Sequence, residues 1–458
     1  MYRIRFLTGL LAVVLLGTGC SSSKPDSPSV DKPETSTFSA ASDAAPSGSA
    51  AQAIGSPDTG SEDTGSASSP SSDSALAAAD DDNALDAADN TSGVSDTKIG
   101  GGNANAAVKR TIGKGAACAV GKPSVGGEIT FVRGDRLIGI DTAAANPSER
   151  CLATLPGSLA GAGSRLTRWS PPATQALLGG GSVVTAEGTV KASGFLATNA
   201  DVEWSYPTGK RLMAATAKGE LVKRDVANGM RTDISYLAKH TDAAYHPAGK
   251  YVVSVGEDQD GNSGIFASSN SGGVFNALVN NETAERVWSP QFTGDGRNLL
   301  FLAKHDETVD AKTQAAYHVH NLAIVESDLS IALDATEPLD HLLVDPFRRQ
   351  FAVQVGGCAP GNRVRVISLS GDRNVEIPGS ESVTMTPIGW LPDAGLLIAT
   401  SKSISSAANS CGPGSLVSLS VWSNGALAPL VDNVYSPSVR AIRPISKDVP
   451  LGIAPGET

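Results

Sequence analysis

The chain has 458 residues, of which 18% are charged and 5% aromatic, and its formal net charge is −11 at pH 7. The excess acidic charge belongs to the first 105 residues, because the rest of the chain carries 31 basic and 33 acidic residues. A nearly neutral folded part without a basic cluster gives no support to nucleic-acid binding, so we expect no nucleic-acid partner.

The N-terminal residues 1–19 predict a lipoprotein signal peptide. Arg3 and Arg5 precede an apolar run at residues 6–16, and small residues follow before Cys20. This order is typical of an exported protein, and the position of Cys20 resembles a bacterial lipobox. We therefore predict lipidation of Cys20 and a lipid-mediated membrane partner outside the cytoplasm. Ser21 after Cys20 resembles the sorting pattern for the outer membrane of a Gram-negative host. An ordinary signal peptide with an incidental Cys is the alternative.

Residues 20–108 predict a disordered acidic tether. Ser, Ala, Gly, Asp, Thr and Pro dominate this segment, and Phe38 is its one aromatic residue. Such a composition cannot bury enough apolar surface to offset the entropy of ordering the chain. A flexible coil of this kind would span about 50 Å and hold the following domain away from the membrane.

Residues 109–458 contain a repeated phrase, which consists of an aromatic residue, Ser or His, Pro, a turn and an apolar run. Its copies, two of them weaker, begin at Trp169, Trp204, Tyr245, Trp288, Leu343 and Trp390. The intervals match the roughly 40–50 residues of a four-stranded propeller blade. Because helical periodicity is absent, we predict an all-β fold, a β-propeller in which the aromatic residue ends the first strand of each blade.

The first unit lacks the phrase and predicts a shared blade. Residues 127–132, 135–140 and 150–155 have the pattern of second, third and fourth strands. The missing first strand can come from residues 438–443, and such closure removes the open edges of the sheet. Six copies and one shared blade predict seven blades. Six is the alternative, because the unit between Trp169 and Trp204 is short.

The aromatic residues of the phrase have two interpretations. Packing between adjacent blades explains their fixed place in the repeat, and it is the interpretation we favour. A platform for a sugar or a cofactor is the alternative.

The phrase Trp-Ser-Pro-x-Gly-Lys-x-Leu resembles the repeat of TolB-type propellers, and so does the segment at residues 258–266. The resemblance covers residues 128–443 and implies a propeller fold without implying an activity. TolB carries an α/β domain before its propeller. We find no such segment in this sequence, so the partner contacts of TolB are not transferred.

Four cysteines besides Cys20 predict two disulfides, since an even number in an exported domain is typical of disulfide bonding. Cys358 and Cys411 occupy the same loop in neighbouring units, so we pair them. Cys118 precedes the shared blade and Cys151 lies in its fourth strand, so we pair these two.

Metal-binding and catalytic signals are weak. The sequence lacks a Gly-x-Ser-x-Gly elbow, a His-Glu-x-x-His motif and a phosphate loop. His318 and His320 lie on one face of a strand but lack a third ligand nearby in the sequence. Asp258, Asp260 and Asn262 are candidates for a weak calcium site, although such residues more often cap their own turn. We otherwise expect neither metal nor cofactor.

The sequence supports two functional hypotheses. The first is a lipid-anchored, monomeric module of the cell envelope that binds a protein or peptide without catalysis. The second is a hydrolase or lyase acting on carbohydrate or lactone at the central channel. An enzyme of that kind should place acidic and His residues at matching loops of several blades. Those loops contain Ser, Gly, Asn and Pro here, which favours the first hypothesis.

Overall fold

The computed structural model of the chain describes residues 117–447, except 145–146, 158–166, 180, 196–201, 235–236, 274, 281–285, 310–311, 394 and 403–415. The predicted signal peptide, Cys20, the tether and Cys411 lie outside the described residues. All described residues belong to one compact unit, Asp86–Thr458. They contain no helix with the length and apolarity that a membrane crossing requires.

The described residues form β-strands and no α-helix, which confirms the all-β prediction. The chain begins with β1 (Glu128–Arg133), β2 (Arg136–Asp141) and β3 (Glu149–Thr154). Five four-stranded antiparallel sheets follow within the described ranges. They contain β4 (Arg168–Trp169), β5 (Ala176–Leu178), β6 (Ser182–Val184) and β7 (Val190–Ala192); β8 (Glu203–Trp204), β9 (Arg211–Ala215), β10 (Leu221–Asp225) and β11 (Arg231–Asp233); β12 (Lys239–Tyr245), β13 (Tyr251–Glu257), β14 (Ser263–Ser269) and β15 (Asn276–Asn280); β16 (Arg286–Phe292), β17 (Asn298–Val309), β18 (Lys312–Ala323) and β19 (Asp328–Ala335); and β20 (Leu339–Val344), β21 (Gln350–Val355), β22 (Arg363–Ser368) and β23 (Asn374–Ile377).

A seven-stranded sheet joins the two ends of the described chain. It contains β24 (Val383–Trp390), β25 (Leu396–Lys402), β26 (Val417–Ser423) and β27 (Ala426–Arg440), followed by β1, β2 and β3. The first part of β27 pairs with β26, and its last part pairs with β1, with Arg440 opposite Glu128. The predicted closing strand is therefore present, although it ends at Arg440. The five four-stranded sheets confirm the predicted blade, whereas the seven-stranded sheet does not by itself confirm a count of seven or six.

The apolar core lies between neighbouring sheets. Val253 and Ile265 of the third four-stranded sheet pack with Leu299 and Phe301 of the next one. Fully burying a side chain such as that of Phe301 stabilises the fold by about 1.5–3 kcal/mol. Because each sheet buries both faces against its neighbours, the units stabilise one another around the ring.

Tryptophans of the repeated phrase join adjacent sheets, as predicted. Trp169 Nε1 donates to Thr130 Oγ1 at 2.9 Å, and Trp204 Nε1 donates to the carbonyl of Arg168 at 2.9 Å. These Trp residues are buried. In the last copy, the indole of Trp390 donates to the carbonyl of residue 343 in the preceding sheet. The indoles are thus committed to contacts between sheets, and a ligand platform at these positions is wrong.

The residue after the aromatic closes the turn between the first and second strands. Ser205 Oγ accepts a hydrogen bond from the backbone of Arg211 at 3.0 Å. His246 Nδ1 takes the same role in its copy and accepts from Ala248 N at 3.1 Å. Ser and His are therefore interchangeable here, because each offers a hydrogen-bond acceptor to the turn.

The first strand of the copy at Trp288 ends four residues later than predicted, at Phe292. Trp288 lies inside β16, where the pairing with β17 shifts register between Trp288 and Gln291. Ser289 has a φ of 52° there, and the following Pro290 has no backbone N–H to donate to a ladder. Ser289 and Pro290 thus form a bulge within the strand. The turn of this copy follows Phe292 instead, with Thr293 Oγ1 accepting from the backbone of residue 298.

Arg440 fastens the C-terminal strand to the N-terminal segment. Its guanidinium is completely buried and donates to Glu128 Oε2 at 2.8 Å, to the carbonyl of Val120 at 2.8 Å and to the carbonyl of Ala173 at 2.9 Å. It also lies over the ring of Trp169, 4.7 Å from the centroid. One side chain thus links the last strand, the first strand and the next sheet.

Candidate functional site

The propeller has two distinct ends. The turns between first and second strands lie at one of them, which we call the turn end. Neighbouring turns contact each other there, since a Cβ placed on Gly209 would approach Ser170 and one on Gly249 would approach Tyr206. The connections between second and third strands lie at the opposite end, which we call the loop end, because the strands of each sheet are antiparallel.

The C-terminal segment lies across the turn end. Residues 441–447 follow β27, and Arg443 N donates to the carbonyl of Pro171 at 2.9 Å. Further along, Ser446 Oγ lies 3.0 Å from the position that a Cβ on Gly296 would occupy. Pro171 and Gly296 belong to turns of different sheets, so the segment passes over several of them. The chain itself therefore covers part of the turn end.

The loop end carries a long hairpin with a cluster of His and acidic residues. The strands β17 and β18 each have twelve residues, and they extend the second and third strands of their sheet. His305 and Glu307 lie on one face of β17, and His318 lies on the same face of β18. His305 Nε2 contacts Glu307 Oε1 at 2.7 Å, and the His305 and His318 ring centroids are 4.7 Å apart. Asp334 of β19 lies opposite His318, with Oδ1 3.4 Å from Nε2.

A cleft of about 290 Å³ lies between the sheet of β16–β19 and the sheet of β20–β23, and Asp334 lines it as well as contacting His318. Its lining residues are Asp334, Ala335, Thr336, Glu337, Val355, Arg363 and Arg365. Arg363 pairs with Glu337, and Arg365 Nη2 donates to Asn374 Oδ1 at 3.0 Å. The cleft thus presents charges of both signs, which suits a polar ligand such as a peptide segment.

The calcium candidates form a self-contained turn at the loop end. Asp258 Oδ1 accepts from the backbone of Asp260 at 3.0 Å and of Asn262 at 2.8 Å, while Oδ2 accepts from Asn262 Nδ2 at 2.9 Å. The hydrogen bonds from Asn262 lower the pKa of the Asp258 carboxyl. The structure shows the turn-capping role of these three residues, and calcium binding stays a prediction.

The predicted pair Cys118–Cys151 forms a disulfide, which joins the N-terminal segment to β3. Cys358 is also disulfide-bonded, and its predicted partner Cys411 lies outside the described residues. Cys358 lies near Asp340 and His341, in a group whose ligand atoms are within 4.8 Å of one another. The oxidised sulfur offers no thiolate to a metal, so this group is a poor metal site.

His240 is a buried histidine at the loop end of β12. Its Nδ1 lies 2.8 Å from Ser254 Oγ, and its ring contacts the edge of Phe275 at 5.2 Å. Burial lowers the pKa of His240 to about 4 from an ordinary value of 6.5. The folded state therefore holds a neutral imidazole, whereas the unfolded chain takes up a proton below pH 6.5.

We expect His240 to make the fold acid-sensitive. Because the folded pKa is the lower one, its contribution is fully present above the unfolded pKa and is lost as the pH falls toward 4. At pH 5 the loss relative to pH 7 should be about 2 kcal/mol. Urea unfolding of the native chain and of His240→Gln at both pH values checks this. An equal pH dependence in the two proteins would refute the assignment.

Comparison with known proteins yields structural similarity alone. No family model matches the chain, and no curated protein matches it. A protein described as TolB from Agrobacterium tumefaciens is 12% identical over 69% of this chain and 98% of its own, with a TM-score of 0.39. The tricorn protease is 12% identical over 70% of this chain and 34% of its own, with a TM-score of 0.44. Prolyl endopeptidases are 13% identical over 70% of this chain and 50% of theirs, with a TM-score of 0.45.

The chain is similar to TolB-type propellers. A WD-type domain, the Cps50 (Swd1) propeller of Myceliophteria thermophila, is likewise similar at 14% identity and a TM-score of 0.42. Sequence identities this low indicate similarity of fold and do not indicate a shared function. These similarities leave enzymatic activity undecided.

Proposed function

We propose that the chain is a lipid-anchored, extracytoplasmic β-propeller that binds a protein or peptide of the cell envelope through its loop end, as a monomer and without catalysis. In a Gram-negative host the anchor would lie in the outer membrane. The proposed anchor rests on the lipobox resemblance at Cys20. The proposed binding surface rests on a difference between the two ends of the propeller, since, among the described residues, the C-terminal segment contacts the turn end alone.

The observation that carries the proposal is the partly covered turn end. Residues 441–447 lie across the turns there, and the turns themselves pack against one another. The loop end, in contrast, carries the β17–β18 hairpin and the cleft lined by Arg363 and Arg365. A cleft with charged groups of both signs offers paired hydrogen bonds to a polar partner. The loop end is therefore the better surface for recognition.

We propose seven blades. In this count the seven-stranded sheet is two blades that share β27: the first contains β24, β25, β26 and the start of β27, and the second contains the end of β27, β1, β2 and β3. The change of partner along β27 supports this division. The start of β27 pairs with β26 as the last strand of one blade, and its end pairs with β1 as the first strand of the next.

Affinity capture tests the function. The full chain, purified in detergent and immobilised through an antibody tag, is incubated with detergent extract of the source envelope, and retained proteins are identified by mass spectrometry. We expect one envelope protein to be retained in a stoichiometric amount relative to the immobilised chain. Its retention should decrease as the salt concentration rises. Turnover of ester, lactone or glycan substrates by the same preparation, without a retained partner, would contradict the proposal and favour the enzyme hypothesis.

A further inference from the structure

We propose that His305, Glu307 and His318 bind a divalent transition metal ion of the zinc type at the loop end. The inference is independent of the proposed partner. It rests on the side chains that the β17–β18 pairing brings together, because the ligand atoms of these three residues lie within 4.8 Å of one another.

The strand geometry explains how the cluster forms. Residues two apart on a strand face the same side of the sheet, which places His305 beside Glu307. His305 is paired with Ala316 and His318 with Ala303, so the two imidazoles are diagonal neighbours across the antiparallel pair. Diagonal neighbours are within reach of long side chains. The sequence motif His-Val-His thus gains its missing ligands from the neighbouring strand, and His320 is not one of them.

The ligand types select the metal. Two imidazoles and one carboxylate form a ligand set that zinc uses with an open fourth position. Imidazole suits zinc, nickel and copper, whereas calcium and magnesium prefer sites made of oxygen ligands. Glu307 is exposed enough to admit the ion, since 47% of its side chain is accessible, while His318 is 91% buried and held by the sheet.

The surroundings of the cluster favour a cation. Asp334 lies 3.4 Å from His318 Nε2 and adds a second carboxylate at the edge of the cluster. Carboxylates that contact ligating imidazoles orient them and increase their basicity. Arg363 and Arg365 line the cleft on the other face of this sheet, where Arg363 is neutralised by Glu337, so they do not oppose a cation at the cluster.

Zinc titration of the EDTA-stripped full chain in detergent tests the site. We expect one Zn²⁺ per chain with micromolar or tighter affinity at pH 7.5, weaker binding at pH 5.5 because protons compete for imidazole, and no comparable binding of Ca²⁺. Cobalt substitution should give the visible absorption of a low-coordinate ion. Glu307→Gln should weaken zinc binding at least about tenfold, and His318→Gln about a hundredfold.

Asp258→Asn is the matched control, because Asp258 is an exposed carboxylate of the preceding blade at the same end of the propeller. It should leave zinc affinity unchanged. If His318→Gln fails to fold by circular dichroism, the exposed Glu307→Gln decides alone. Absence of stoichiometric zinc at micromolar concentration, or equal affinity in the native chain and in Glu307→Gln, would overturn the site.

Discussion

Replacing Arg440 with methionine should lower the free energy of unfolding by about 3–5 kcal/mol, since it removes several buried hydrogen bonds from a charged donor, each worth about 1.5–3 kcal/mol. The guanidinium is completely buried, and Glu128 is nearly so. Methionine keeps an apolar stem against Trp169, but it has no donor to replace the hydrogen bonds from Arg440 to the carbonyls of Val120 and Ala173. Arg150 still pairs with Glu128, so the loss combines half of a shared ion pair with the orphaned carbonyls of Ala173 and Gly121.

Urea unfolding of the native chain and of Arg440→Met measures the effect. Arg231→Met is the control, because Arg231 pairs with Asp233 and Glu220 on the surface and has 43% of its side chain exposed. Exposed ion pairs contribute about 0–1 kcal/mol, so the control should stay within that range. Equal losses in the two variants would show that Arg440 does not fasten the ring.

Gly249→Ala should cost about 3 kcal/mol, made up of about 1 kcal/mol for the left-handed backbone and the remainder for overpacking. Gly249 has a φ of 76°, and a Cβ there would lie 2.5 Å from the carbonyl oxygen of Tyr206 in the preceding blade. Backbone atoms cannot move aside as a flexible side chain can. The substitution thus attacks the contact between neighbouring turns of the repeated phrase.

Gly425→Ala separates the two causes. Gly425 has a φ of 81°, but no heavy atom lies within 4 Å of its Cβ position, so it should cost only about 1 kcal/mol. The difference between the two variants, measured by urea unfolding, is the cost of the clash. A difference near zero would mean that the phrase turns do not hold neighbouring blades together.

Much of this fold could be predicted because the repeat encodes local physics. Trp169 and Trp204 end first strands in the structure as in the prediction, since a buried aromatic followed by a turn is a local signal. The strand end predicted at Trp288 is wrong because Ser289 and Pro290 also suit a bulge inside a strand. Only the register with β17 distinguishes a bulge from a turn, and that register is a tertiary property.

The cluster at the loop end could not be predicted with the same success. His318 and His320 were visible as a pair, but the partners of His318 are His305 and Glu307, thirteen and eleven residues earlier in the chain. A His-x-Glu spacing followed by a His-x-His spacing across one hairpin was the available signal. Using it requires the pairing register of β17 and β18, which the sequence pattern leaves undetermined.

The most direct test of the central claim, that the loop end is the recognition surface, compares two charge-reversed variants in the envelope capture experiment. Lys312→Glu with Arg365→Glu changes the loop end, and Lys210→Glu with Arg297→Glu changes exposed residues of the turn end. We predict that the first double variant retains at least about tenfold less of the partner, since reversed charges repel a complementary surface. The second double variant should retain as much partner as the native chain. Loss in the second variant with full retention in the first would contradict the account.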